Sequence, residues 1–335
     1  MYQDTTIGVV VPAYNEAGFV GDVIDSIPAF VDRIYPVDDA STDGTWAEIR
    51  EHAQRQNAPT PELVGDGGTK RRVVPLQHSE NRGVGGAIKT GYQRAVADGV
   101  EVVTVMGGDG QMDPDIIERI IDPVVDGRAD YAKGNRLLLG DHADSMPPFR
   151  YVGNVTLTYL TRIASGYWEI GDPQNGYTAI SAEAIEAAGV DEMYEFYGYC
   201  NDLLVRLNVA DMRVVDVPTP AVYGDEESHI DYSTYIPRVS GMLLRNFLWR
   251  LRAKYLSGRP HPVALCYLLG AGGVAAGVGA GLLALLRGTA VPTVAAVGLG
   301  LLFLVLAMVL DKRSNDHLTN VVSPTRADSP GPTAE

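Results

Sequence analysis

From residue 7 to residue 133, short apolar runs alternate with amphipathic stretches. Residues 7–11, 33–37, 72–77, 100–106 and 129–133 read as strands. Helical patterns fall between them at about 16–27, 45–54, 84–98 and 114–126, the last opening on Pro114, which suits a first helical turn. Units of this length and order predict an α/β domain with a mostly parallel sheet covered on both faces. Residues 57–70 carry Pro and Gly clusters and read as a surface loop. The pattern is less regular over 137–236, apart from a helix at 150–165.

Two long apolar segments follow, 263–286 and 291–310, each near the roughly 20 residues needed to cross a bilayer as a helix. Arg287 is the only charge between them, so they form a hairpin. Basic residues flank its outer ends, which places both ends on the cytoplasmic side. Gly273, Gly277 and Gly281 recur every four residues and suit close helix packing, within the hairpin or between copies. Before the hairpin, residues 236–256 mix Val239, Met242, Leu243, Phe247 and Leu251 with Arg238, Arg245, Arg250, Arg252 and Lys254, as in a helix lying on an anionic membrane. The sequence thus divides into a domain at 1–236, a basic amphipathic helix at 237–260, two membrane helices at 261–313 and a disordered polar tail at 314–335.

Chemistry gathers where the apolar runs stop. The first ends in Pro12-Ala13-Tyr14-Asn15-Glu16 and the second in Asp38-Asp39-Ala40-Ser41-Thr42-Asp43-Gly44. Asp38 and Asp39 exceed what a helix cap needs and would suit a base or ribose with donor groups. Asn81-Arg82-Gly83-Val84-Gly85-Gly86 supplies small residues that let a helix start close to a ligand and the sheet. The fourth run empties into Gly107-Gly108-Asp109-Gly110-Gln111, where a carboxylate can hold a divalent metal and the metal a diphosphate.

In this order the four patches resemble glycosyltransferase family 2, with its nucleotide-sugar-binding GT-A fold, over about residues 5–236. Lys133-Gly134-Asn135-Arg136 and Arg150 resemble the two arginine positions of dolichyl-phosphate sugar synthases. Asp172-Pro173-Gln174-Asn175-Gly176 and Tyr199-Cys200-Asn201-Asp202 resemble further motifs of those enzymes, and Ser228-His229 lies where they carry Ser-Lys. The resemblance implies a nucleotide diphosphate sugar bound by Pro12, Tyr14, Asn15, Glu16, Asp38, Asp39, Gly83, Gly85 and Asp109. It implies Mg2+ or Mn2+ on Asp109 and Gln111, and a polyprenyl (dolichyl) phosphate met by Arg136, Arg150, Ser228 and His229. Asp202 is the candidate base for a hydroxyl acceptor. Gly107 departs from the family's Asp-x-Asp pattern. The implied reaction is an inverting transfer of a hexose to dolichyl phosphate, UDP-glucose favoured and GDP-mannose an alternative, at an early step of protein N-glycosylation. The rival readings are a transferase that extends a lipid-linked oligosaccharide and a membrane scaffold with a decayed transferase domain.

Charge sharpens this picture. The 335 residues carry a net −15, yet residues 237–313 hold nine Lys/Arg against one acid, Asp311. An acidic domain on a basic collar excludes nucleic acid as a partner, because such binding needs basic patches. With five lysines among 27 basic residues, the surface resembles that of a halophilic archaeal protein. Cys200 and Cys266 make neither a disulfide framework nor a cysteine metal site. The polar start, Met1 to Thr6, is no secretory signal, so the domain is expected in the cytoplasm at the cell membrane.

Overall fold

The computed structural model describes residues 1–58, 71–139, 148–220, 232–258, 261–287 and 293–321. Its centre is an eight-stranded sheet in the order β3-β2-β1-β4-β6-β5-β7-β8. The parallel half contains β1 (Ile7–Ala13), β2 (Arg33–Asp38), β3 (Leu76–Gln77) and β4 (Val102–Val105). Strand β6 (Thr178–Ser181) runs antiparallel between β4 and β5 (Tyr131–Asn135). Parallel pairing resumes with β7 (Val214–Pro218) and β8 (Thr319–Val321).

Helices cover both faces. Along β1 the side chains alternate, as a strand requires. Ile7, Val9, Val11 and Ala13 join a core with α1 (Val20–Ser26), α2 (Thr45–Gln56) and α4 (Ile117–Val125). Val10 points the other way, into a core with α3 (Val84–Ala97), α6 (Ala182–Ala187) and α7 (Tyr199–Val209). On that face α3 lies so close to the sheet that a Cβ at Gly91 would stand 2.4 Å from Val10 Cγ1.

The α7 face carries a third layer: α5 (Pro148–Ser165) and α8 (Tyr232–Arg250) pack on α7 through Ala164, Val205, Val239, Met242 and Leu243. A π-helical turn, Leu251–Leu256, leads from α8 to α9 (Pro262–Arg287), which packs against α10 (Thr293–Asn315). Both are long and apolar enough to cross a membrane. The glycine repeat works inside the hairpin. A Cβ at Gly273 would stand 3.1 Å from Gly300 Cα, and one at Gly277 would stand 2.6 Å from Val297 Cγ2.

Two expectations change here. Part of the basic collar turns inward: Arg250 is fully buried, and Lys254 Nζ donates to the Asn208 carbonyl (2.8 Å) and pairs with Asp211 (2.7 Å). Arg238, Arg245 and Arg252 stay on the outer surface beside exposed Leu244 and Leu248. The second concerns the start of the expected polar tail. Ser314 and Asn315 finish α10, and Thr319–Val321 pair with β7 as the sheet's last strand. Residues 322–335 lie outside the described residues, as do 59–70 of the expected surface loop.

Arg250 joins these parts. Its guanidinium donates to both oxygens of Asp311 on α10 (3.0 and 2.7 Å) and to the carbonyls of Ala164 and Ile163 at the end of α5 (2.9 and 3.1 Å). Asp311 also accepts from Tyr255 (2.7 Å) and Asn315 (3.0 Å), and Asn208 of α7 donates to Asn315 (2.9 Å). Buried charges are tolerated only when paired and hydrogen-bonded, as here.

Candidate active site

The carboxyl ends of β1 to β4 open onto one edge, where open α/β sheets bind ligands. Their loops are tied together. Gly108 donates its N–H to the Pro12 carbonyl (3.1 Å), joining the first and fourth patches. Asn15, at φ 58°, donates its N–H to Ser41 Oγ and accepts from the Thr42 N–H, both at 2.9 Å. Glu16 donates its N–H to Thr45 Oγ1 (2.8 Å). Asn15 and Glu16 therefore brace the second loop, while Tyr14 stands exposed.

The paired carboxylates divide their work. Asp38 is fully buried, with one oxygen on the Ser41 N–H (3.2 Å) and the other on Gln77 Nε2 (2.9 Å). Asp39 takes His78 Nδ1 (2.6 Å) and the Arg82 N–H (2.9 Å) on Oδ1. Among the described residues no hydrogen bond reaches its Oδ2. Asp38 holds the loop; Asp39 is nearly as buried, at 2% exposed, and differs in keeping one oxygen without a hydrogen bond among the described residues.

The glycines before α3 serve a different neighbour than expected. A Cβ at Gly83 would stand 2.7 Å from the Glu195 carbonyl, and one at Gly85 would stand 2.5 Å from the Tyr194 carbonyl. They admit the 194–196 segment. Glu195 clamps that contact with Arg82 (2.5 Å) and Lys89 (2.8 Å). Arg82 above all, with Lys89, holds the Glu195 carboxyl down to about 2 against the opposing pull of burial.

Asp109 is half-buried and accepts the Gln111 N–H on Oδ1 (3.1 Å). A Cβ at Gly107 would lie 2.9 Å from that same oxygen. The missing side chain at 107 thus leaves the space into which the Asp109 carboxylate folds. Asp113 caps the following turn by accepting the Asp115 N–H (2.9 Å). Among the described residues no three His, Cys, Asp or Glu side chains cluster as metal ligands. One carboxylate and one amide still suit Mg2+ or Mn2+, which take few protein ligands and complete their shell with water and substrate phosphate.

Beside this turn lies a pocket lined in part by Gln111, Asp113, Arg136, Gln174, Asn175 and Thr219. Arg136, straight after β5, makes a two-pronged pair with Asp172 (2.7 and 2.9 Å). Burial works to raise the Asp172 carboxyl, but Arg136, helped by Lys133, outweighs it and holds the group below its ordinary value. Beneath them, buried Asp216 accepts from Lys133 (3.0 Å), Asn135 (2.7 Å) and the Gly171 N–H (2.6 Å), fixing both halves of the Arg136–Asp172 pair.

Asp202 lies elsewhere, 1% exposed in its side chain. It accepts from Arg206 (2.8 Å), Asn246 (2.6 Å) and the Tyr194 N–H (2.9 Å). With both oxygens so engaged, Asp202 fastens α7 to α8, in place of its expected role as base. Next to it, burial pushes the Cys200 thiol up to about 11. Arg150 falls in the first turn of α5, and Ser228 and His229 lie outside the described residues. Sequence reasoning overlooked His78, which directly follows a strand, and named Asp172 within a motif without foreseeing its pairing with Arg136.

The mixed sheet with helices on both faces is a GT-A-like fold. The model of the family described as Glycosyl transferase family 2 matches residues 8–189, and the chain belongs to that family: it is a glycosyltransferase. It is 28% identical over 221 residues to the UDP-N-acetylglucosamine–dolichyl-phosphate N-acetylglucosaminyltransferase of Methanococcus voltae, covering 66% of this chain and 87% of that one. It is 26% identical over 255 residues to the polyprenol monophosphomannose synthase of Mycolicibacterium smegmatis, covering 75% and 87%. Among solved structures, glucosyl-3-phosphoglycerate synthase from Mycobacterium tuberculosis matches with TM-score 0.49 and 19% identity, over 74% of this chain and 80% of that one.

Proposed function

We propose that this chain transfers a hexose from a nucleoside diphosphate sugar to a polyprenyl phosphate at the cytoplasmic face of the membrane. The observation that carries the lipid acceptor is the return of the chain from its apolar hairpin into the catalytic sheet as β8. The named activities of the two relatives support the same acceptor class. UDP-glucose is the favoured donor and GDP-mannose the alternative, at an early step of N-glycosylation.

In this reading Asp39 meets the nucleoside, and the tied loops at 12–16 and 107–111 seat the sugar diphosphate. Asp109 and Gln111 would hold Mg2+ or Mn2+, which offsets the charge gathering on the departing diphosphate. Arg136, held flat by Asp172, presents a fixed cation to the acceptor phosphate, and Arg150 is the second arginine proposed there. An acceptor oxygen forms a bond to the anomeric carbon as the bond to the donor's β-phosphate oxygen breaks, and the nucleoside diphosphate leaves. One displacement inverts the anomeric centre. The acceptor oxygen is already an anion, so the reaction needs no base, in keeping with the enclosure of Asp202. Gly107, the strongest sign of decay, has a positive use in seating Asp109.

The test is to incubate membranes containing the chain with labelled nucleotide sugars and polyprenyl phosphates and to identify the lipid product by mass spectrometry. A polyprenyl-phosphate hexose is expected. A product formed only on lipid-linked oligosaccharide, or none from any donor, rejects the proposal.

A further inference from the structure

One buried titratable group at the donor edge has no part in the reaction as set out above. His78 follows β3 directly, and its side chain is 7% exposed. Its backbone N–H donates to the Asp38 carbonyl (2.9 Å), which fixes where the ring starts. The ring lies between two partners, Asp39 Oδ1 at Nδ1 (2.6 Å) and Thr90 Oγ1 at Nε2 (2.8 Å). A carboxylate only accepts, so Nδ1 carries the proton; in the neutral ring Nε2 then accepts the Thr90 hydroxyl. The three side chains form a one-way chain from α3 to the Asp39 carboxylate.

We propose that His78 is a positioning residue for recognition of the nucleoside base. With the Arg82 N–H it occupies Oδ1 of Asp39 and sets the rotation of the carboxylate, so that Oδ2 is the oxygen offered to the ligand. An oxygen that can only accept selects a base presenting an N–H at that point. Uracil and guanine have such an imide-type N–H; cytosine has a ring lone pair there and is repelled. The chain therefore selects uridine or guanosine diphosphates over cytidine diphosphate, and His78 enforces that choice without touching the base. This rests on the proposed donor site.

The experiment titrates UDP, GDP and CDP into the full chain in detergent and measures donor kinetics in parallel. The wild type is expected to bind UDP or GDP more tightly than CDP. In His78→Ala the affinity for the preferred nucleotide should fall about tenfold, the scale of losing one hydrogen bond to a charged group. Discrimination against CDP should narrow, with KM for the donor raised and kcat nearly kept. His78→Asn should recover most of both losses, because its amide N–H can take the place of Nδ1–H. Thr90→Val, which removes only the far anchor, should lose about threefold in the same pattern and serves if His78→Ala does not fold. Unchanged affinity and discrimination in His78→Ala, or in Thr90→Val where His78→Ala does not fold, overturn the proposal. Equal weakening of all three nucleotides, without rescue by asparagine, overturns it too. A wild type that binds none of the three refutes the donor site itself and is told apart by that result.

Discussion

Removing the Asp311 carboxylate should destabilise the whole protein, although it lies far along the chain from the glycosyltransferase motifs. Arg250 and Asp311 are both 0% exposed and joined at 3.0 and 2.7 Å. In Asp311→Ala the guanidinium keeps its bonds to the Ala164 and Ile163 carbonyls but loses two bonds to a charged partner. Tyr255 and Asn315 lose an acceptor as well. Hydrogen bonds to charged groups contribute about 1.5–3 kcal/mol each. Breaking a buried pair from one side costs about 3–5 kcal/mol, because the remaining charge is left in a poorly solvating interior. The expected loss is about 4 kcal/mol. Denaturant unfolding in detergent, followed by tryptophan fluorescence, measures it. Arg250→Met combined with Asp311→Leu should regain most of that stability, since no stranded charge remains. A cost below about 1 kcal/mol for Asp311→Ala, or a double variant as unstable as the sum of the singles, refutes the reasoning.

Asp109→Ala should abolish transfer and leave the fold intact; near-normal turnover, or full activity in excess chelator, rejects the metal role. Arg136→Lys and Asp172→Asn should both impair use of polyprenyl phosphate while donor binding is retained, because each ends the two-pronged pair. Steady-state kinetics with varied acceptor decides this, and unchanged acceptor dependence in both removes the pair from the site. Glu195 has a depressed carboxyl, so its stabilising effect is present above about pH 4.3, its ordinary value, and fades as pH falls toward about 2. The stability gap between wild type and Glu195→Gln should therefore close between those limits in a pH series of unfolding curves. Truncation after Ser257 should give a poorly folding domain as well as a poor lipid transferase, because it removes both Asp311 and β8; a domain of wild-type stability by thermal unfolding contradicts this.

The parallel half of the sheet was legible because its strands are apolar runs separated by amphipathic helices. Strand β3 shrank to two residues at the sheet's end, with one isolated bridge between Ile34 and Val73. Strand β6 was not legible: four residues give too short a pattern, and the reversed direction comes from its neighbours. Strand β8 was hidden by polar composition, since its pairing with β7 depends on a contact more than 100 residues distant in sequence. The site loops could be found as the polar endings of apolar runs. Which of two adjacent carboxylates keeps an oxygen free of loop hydrogen bonds could not, because strand alternation is lost in the turn. Asp202 misled for a similar reason: an acid at a helix start looks the same whether it faces solvent or, as here, Arg206 and Asn246.

The position of β8 also sets the order in which the molecule can be completed. The strand that finishes the edge of the sheet is made after every residue of the hairpin, so during synthesis β7 remains an open edge until α9 and α10 have emerged. If those helices cross the bilayer, Thr319 reaches Val214 only after an even number of crossings. A chain inserted with a single crossing would strand Arg250 without Asp311 and leave the sheet one strand short. Correct insertion is thus a condition of correct folding, and misinserted copies would be marked by an unfinished edge before they meet any substrate.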